Sequence, residues 1–108
     1  MLTIIEPENY RRMLGVLEES ECDLEASYMD GDLYIQIEHD AETGGYELNL
    51  QDMNDYAGFS CSDADIKEMG VNEAGELIIE FKDESLGKVT ISRYAYKPFS
   101  VEESKPEQ

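Results

Sequence analysis

Leu33-Tyr34-Ile35-Gln36-Ile37-Glu38 and Tyr46-Glu47-Leu48-Asn49-Leu50-Gln51 alternate apolar and polar residues with a period of two. That period belongs to a half-buried strand, whose successive side chains point to opposite faces. Thr43-Gly44-Gly45 and Asp30-Gly31-Asp32 bound these runs with turn chemistry, because glycine reaches positive φ without steric cost. Residues 24–29, 33–39 and 46–50 therefore read as an antiparallel meander of three strands.

Upstream the period changes. Tyr10, Met13, Leu14 and Leu17 recur at helical spacing, behind Glu6-Pro7-Glu8, where proline suits a first turn and the acids complement the helix dipole. A helix is expected over 7–20. Downstream, 51–61 reads as a loop, and Ser62-Asp63-Ala64-Asp65 as the N-cap of a short helix ending at Gly70. Strands over 76–82 and 88–96 follow. The expected fold is α+β: an antiparallel sheet of five strands, or six if 2–5 pairs, with the N-terminal helix packed on one face and a second short helix. One domain spans 1–97, and 98–108 reads as a mobile acidic tail.

The chain has 108 residues and a formal net charge of −18, from 26 acids against 8 bases. Leu, Ile, Val and Phe supply 24 residues, above the level of ~20% below which highly charged chains fail to fold. Nucleic acid and anionic membranes bind through Lys and Arg, so charge of this sign excludes direct contact with either. A basic protein surface is the natural partner. No apolar run approaches the ~20 residues of a membrane span, and Met1-Leu2-Thr3-Ile4-Ile5 is too short for a signal peptide, so the expected compartment is the cytoplasm. Cys22 and Cys61 form no C-x-x-C pair and are expected as two small thiols.

Catalytic and metal signatures are missing. His39 is the only histidine, and no nucleophile elbow or phosphate-binding loop occurs. As an EF-hand, a loop starting at Asp52 puts Ala57 at the glycine position, and one starting at Asp63 puts Lys67 among the ligands. Neither enzyme activity, a metal site nor a cofactor is expected.

The distribution of charge is more specific than its sum. From Met13 to Ile66 there are 54 consecutive residues without Lys or Arg, and 15 of them are acidic. A generic soluble surface mixes both signs, because crowding one sign destabilises the compact state. Alternation puts Glu25, Ser27, Tyr34, Gln36, Glu38, Glu47, Asn49, Ile78, Glu80, Lys82, Thr90, Ser92 and Tyr94 on the sheet face away from the helix. Tyrosines within a polar rim are typical interface anchors. The candidate partner-binding residues are Glu25, Tyr34, Glu38 and Glu47 on this face, with Asp52, Asp55 and Tyr56 in the following loop. Tyr56 is expected exposed and Phe59 in the core.

In general character this small, acidic, single-domain, cysteine-poor chain resembles the immunity proteins of bacterial toxin–immunity systems. The resemblance implies a non-catalytic inhibitor that neutralises a basic partner, most naturally a nuclease toxin with a positive substrate groove. A decoy that mimics DNA and an acidic accessory module of another complex are the alternatives. Charge repulsion between copies favours a monomer over edge-to-edge pairing.

Overall fold

A computed structural model describes residues 1–20, 23–28, 31–52, 58–94 and 97–106. Among these, the strands are β1 (Thr3–Ile4), β2 (Leu24–Tyr28), β3 (Gly31–His39), β4 (Tyr46–Asp52), β5 (Gly58–Ser62), β6 (Ile66–Val71), β7 (Leu77–Phe81) and β8 (Lys88–Arg93). One helix, α1 (Tyr10–Glu19), follows a 3-10 turn at Pro7–Asn9. The α+β class and the antiparallel sheet are as expected, but the strands number eight. The sheet order is β1-β6-β7-β8-β2-β3-β4-β5.

Both additional strands, β5 and β6, fall where the sequence pointed elsewhere. Residues 58–62 lie in the expected loop, and their Gly and Ser alternate with Phe59 and Cys61, a weak strand signal. Residues 66–71 lie in the expected short helix. Apolar Ile66 and Met69 sit three apart because the pairing of β6 with β7 shifts register between Ile66 and Glu68. A bulge adds one residue and resets the alternation, so a strand acquires helix-like spacing. The Ser62 cap survives on a smaller element: the Ser62 amide donates to Asp65 Oδ2 at 2.8 Å, closing the single turn Asp63–Asp65.

That turn has a large consequence. β5 ends one side of the sheet and β6 lies next to the other end, yet three residues join them. The sheet must therefore curl over on itself, as strands do when they turn a corner between packed layers. Aromatic contacts show the closure: Phe59 of β5 meets Tyr28 of β2 and Phe81 of β7, with ring centroids 6.1 and 5.9 Å apart. The inner side chains form one continuous core, including Ile35, Ile37, Leu48, Leu50, Met69, Leu77, Ile79, Val89 and Ile91. Tyr10, Met13, Leu14 and Leu17 of α1 join it, with the helix lying against β3 and β4. Gly15 allows this approach, since a Cβ there would stand 2.9 Å from the Tyr46 hydroxyl.

Two residues of the C-terminal segment, Phe99 and Ser104, are buried. Phe99 is 3% exposed, and its amide donates to the Gly75 carbonyl at 2.8 Å. Val101–Ser104 forms a 3-10 turn with Ser104 fully buried. Arg93 pairs with Glu103 and places its guanidinium carbon 4.1 Å from the centre of the Phe99 ring. Truncating a buried Phe leaves both lost transfer energy and a cavity, so Phe99→Ala is expected to cost about 3–5 kcal/mol in chemical denaturation. A change within about 0.5 kcal/mol would mean that this segment contributes nothing to the core.

Candidate docking surface

After the end of α1, the stretch without a cation supplies four contiguous strands among the described residues. β2, β3, β4 and β5 lie side by side and carry no Lys or Arg. Lys67, Lys82, Lys88 and Arg93 lie on or beside β6, β7 and β8. The molecule thus has one sheet half with mixed signs and one with a single sign.

Strand register fixes which groups share the outer face. Ile35, Ile37, Leu48 and Leu50 turn inward, so Asp32, Tyr34, Gln36 and Glu38 of β3 turn outward, as do Glu47, Asn49 and Gln51 of β4. On β2, buried Ala26 leaves Glu25 and Ser27 outside. Successive rungs pair Tyr34 with Gln51, Gln36 with Asn49, and Glu38 with Glu47. β5 extends these rungs with Gly58, Ser60 and Ser62. Ser60 Oγ donates to Asn49 Oδ1 at 2.5 Å.

Glu38 stands directly opposite Glu47, a like-charge cross-strand pair. Elsewhere such contacts are relieved: Glu80, opposite Glu68, has Lys88 as its other cross-strand neighbour. The ion pairs among the described residues join the Met1 amino group to Glu73, Arg11 to Asp63, Arg93 to Glu103, and Lys105 to Glu102. None of them neutralises Glu25, Asp32, Glu38 or Glu47.

Four of the anticipated site residues, Glu25, Tyr34, Glu38 and Glu47, therefore share one exposed face. Asp52 does not belong with them. It has the inward register of Leu48 and Leu50 and is half-buried at the end of β4, opposite Leu33. Asp55, Tyr56 and Cys22 lie outside the described residues. Phe59 packs inward, as the ring contacts show. Asp32, Gln51 and Ser60 complete the face and were not anticipated as site residues. Extending the alternation of β3 back to Gly31 would have found Asp32, whereas Ser60 needed the unforeseen β5.

Reactive groups are few. Burial, with Asp65 and Asp83 nearby, pushes the Cys61 thiol up to about 11, so it stays protonated. His39 is exposed, its ring 4.9 Å from that of Tyr46. Among the described residues, no three His, Cys, Asp or Glu side chains are grouped to hold a metal ion, and no helix is long and apolar enough to cross a membrane.

The strongest polar cluster lies at the corner of the sheet. Asp63 accepts from Arg11 Nε and from the Tyr46 amide, both at 2.9 Å, while Arg11 Nη1 donates to the Thr43 carbonyl at 3.2 Å. Burial pulls the Asp63 carboxyl upward, but the Tyr46 amide and Arg11 outweigh it and hold the group below its ordinary value. The chain matches no family model, no curated protein and no solved structure.

Two stability outcomes follow from this geometry. Glu47→Lys turns a repulsive rung into an attractive one and is expected to add about 0.5–1 kcal/mol, read as a rise in Tm. A fall in Tm would mean that the two carboxylates do not repel as the register implies. Asp63→Asn is expected to cost about 1–2 kcal/mol near neutral pH, at the lower end for charged hydrogen bonds because Arg11 is half exposed. A lowered folded-state pKa stabilises above the unfolded value of ~3.9, so the variant's deficit should shrink as acid carries the pH below that value. A deficit independent of pH would show that packing, not the carboxylate, holds the corner.

Proposed function

We propose that this chain is a non-catalytic inhibitor that binds a basic protein through the outer face of β2–β5. The partner best matched in chemistry is a nuclease toxin, whose nucleic-acid groove is positive. The observation carrying this reading is the unneutralised pair of Glu38 and Glu47 on the same face as half-exposed Tyr34, on strands without any cation. A face kept only for solubility gains nothing from same-sign crowding, whereas a basic partner would supply the missing counter-charge on binding. The tyrosine and amides amid the acids favour a cognate protein over a decoy of DNA, which needs only a charge pattern.

Opposite fields accelerate encounter more than they slow dissociation, so salt acts mainly on the association rate. Complex formation is expected to slow at least tenfold between about 50 mM and about 500 mM salt, with dissociation changing far less. Glu38→Lys combined with Glu47→Lys should retain the fold, lose the partner captured by the wild-type chain, and abolish neutralisation of its activity. Capture unaffected by the double reversal would place the interface elsewhere. Competition with DNA for several unrelated DNA-binding proteins would favour the decoy.

A further inference from the structure

On the reading that this face docks a basic partner, we propose that the groove at Tyr34 is a subsite for the guanidinium of a partner arginine. The outward side chains of β3 run Asp32, Tyr34, Gln36, Glu38, with an aromatic ring and an amide in the centre and a carboxylate at each end. β4 sets Gln51 opposite Tyr34 and Asn49 opposite Gln36, and β5 adds Gly58 and Ser60. Tyr34, Gln36, Asn49, Gln51, Gly58 and Ser60 bound a shallow groove of about 370 Å³.

The lining suits arginine better than lysine. Tyr34 is 51% exposed, so its ring is open to a planar cation. Gly58 adds no side chain to crowd the opening, and a Cβ there would lie 2.8 Å from the Leu50 carbonyl oxygen. Ser60 fixes Asn49, while no side chain among the described residues bonds Gln36 or Gln51, whose amide oxygens remain available as acceptors. Asp32 lies two residues along the strand from Tyr34, roughly 7 Å away and within reach of the outer donors of a stacked guanidinium, while Glu38 stands the same distance beyond Gln36 at the far end of the row. An ammonium is compact, strongly hydrated and cannot stack, whereas guanidinium is planar, weakly hydrated and carries five donors. Tyr34 therefore supplies arginine selectivity to a surface that would otherwise read charge alone.

The test titrates the isotope-labelled protein with blocked tetra-arginine and, separately, blocked tetra-lysine at low salt. Amide shifts are expected to gather on Tyr34, Gln36, Gln51, Gly58 and Ser60, with the arginine peptide binding about threefold tighter than the lysine peptide. Tyr34→Phe should keep that preference, and Tyr34→Leu should reduce arginine binding to the lysine level. Equal affinities on the Glu38–Glu47 rung, insensitive to Tyr34→Leu, would overturn the arginine subsite and leave the acidic face standing. Absence of shifts on β2–β5 with either peptide would overturn both.

Discussion

The three-residue corner Asp63–Asp65 is the constraint on which the rest of the molecule depends. A sheet ordered with β5 at one end and β6 near the other closes only if the chain turns abruptly between them. Asp63 provides the anchor. One carboxylate oxygen takes the amide that begins β4, and the other takes Arg11 from α1. Arg11 reaches on to the Thr43 carbonyl in the β3–β4 turn. Gly45 leaves room for this convergence, since a Cβ there would stand 2.5 Å from Asp63 Oδ1. Helix, hairpin and corner thus meet at one carboxylate, and the position of α1 over β3 and β4 follows.

The corner also bears on the charge distribution. Of the eight cations, Arg11 holds the corner, Arg93 and Lys105 pair with acids of the C-terminal turn, and Lys67, Lys82 and Lys88 lie along β6–β8. Exposed Arg12 lies on α1, and exposed Lys97 stands at the start of the C-terminal segment. Three of these bases, Arg11, Arg93 and Lys105, sit in ion pairs at the corner and the C-terminal turn. Apart from the corner that Arg11 and Asp63 hold, β2–β5 rest on their hydrophobic inner face and continuous ladders. Burial of this inner face pulls the strands together while the repulsion stays in water, where high dielectric and salt weaken it.

Legibility in the sequence followed the strength of local periodicity. Leu33 to Glu38 and Tyr46 to Gln51 alternate cleanly because one face is buried and the other solvated, so their strands and outward residues could be assigned directly. The stripe of Tyr10, Met13, Leu14 and Leu17 located α1 for the same reason. β5 was obscured by Gly58, Ser60 and Ser62, residues with little strand propensity, and its pairing is imposed by β4. β6 was obscured by its bulge, which spaced Ile66 and Met69 as a helix would. The C-terminal segment looked polar, and its one aromatic, Phe99, gave no periodicity by which its burial could be read. The acidic face was visible as composition, but the Glu38–Glu47 rung and the groove at Tyr34 needed register, which a sequence does not carry across strands.

That rung is also the argument for function over mere solubility. Local preferences in this chain mostly agree with the global fold: apolar residues face inward, Ser62 caps its turn, and Arg11 neutralises the corner carboxylate. Two glutamates directly opposed, with no cation on either strand or on β2 and β5, break that agreement. A neutral pair such as Gln36 and Asn49, one rung away, would serve the fold better at no loss of solubility. Folded proteins depart from local consistency chiefly where function requires it. On the proposed reading, the energy lost to repulsion in the free protein would be regained when a basic partner supplies the counter-charge, so the same rung that weakens the isolated fold would strengthen the complex.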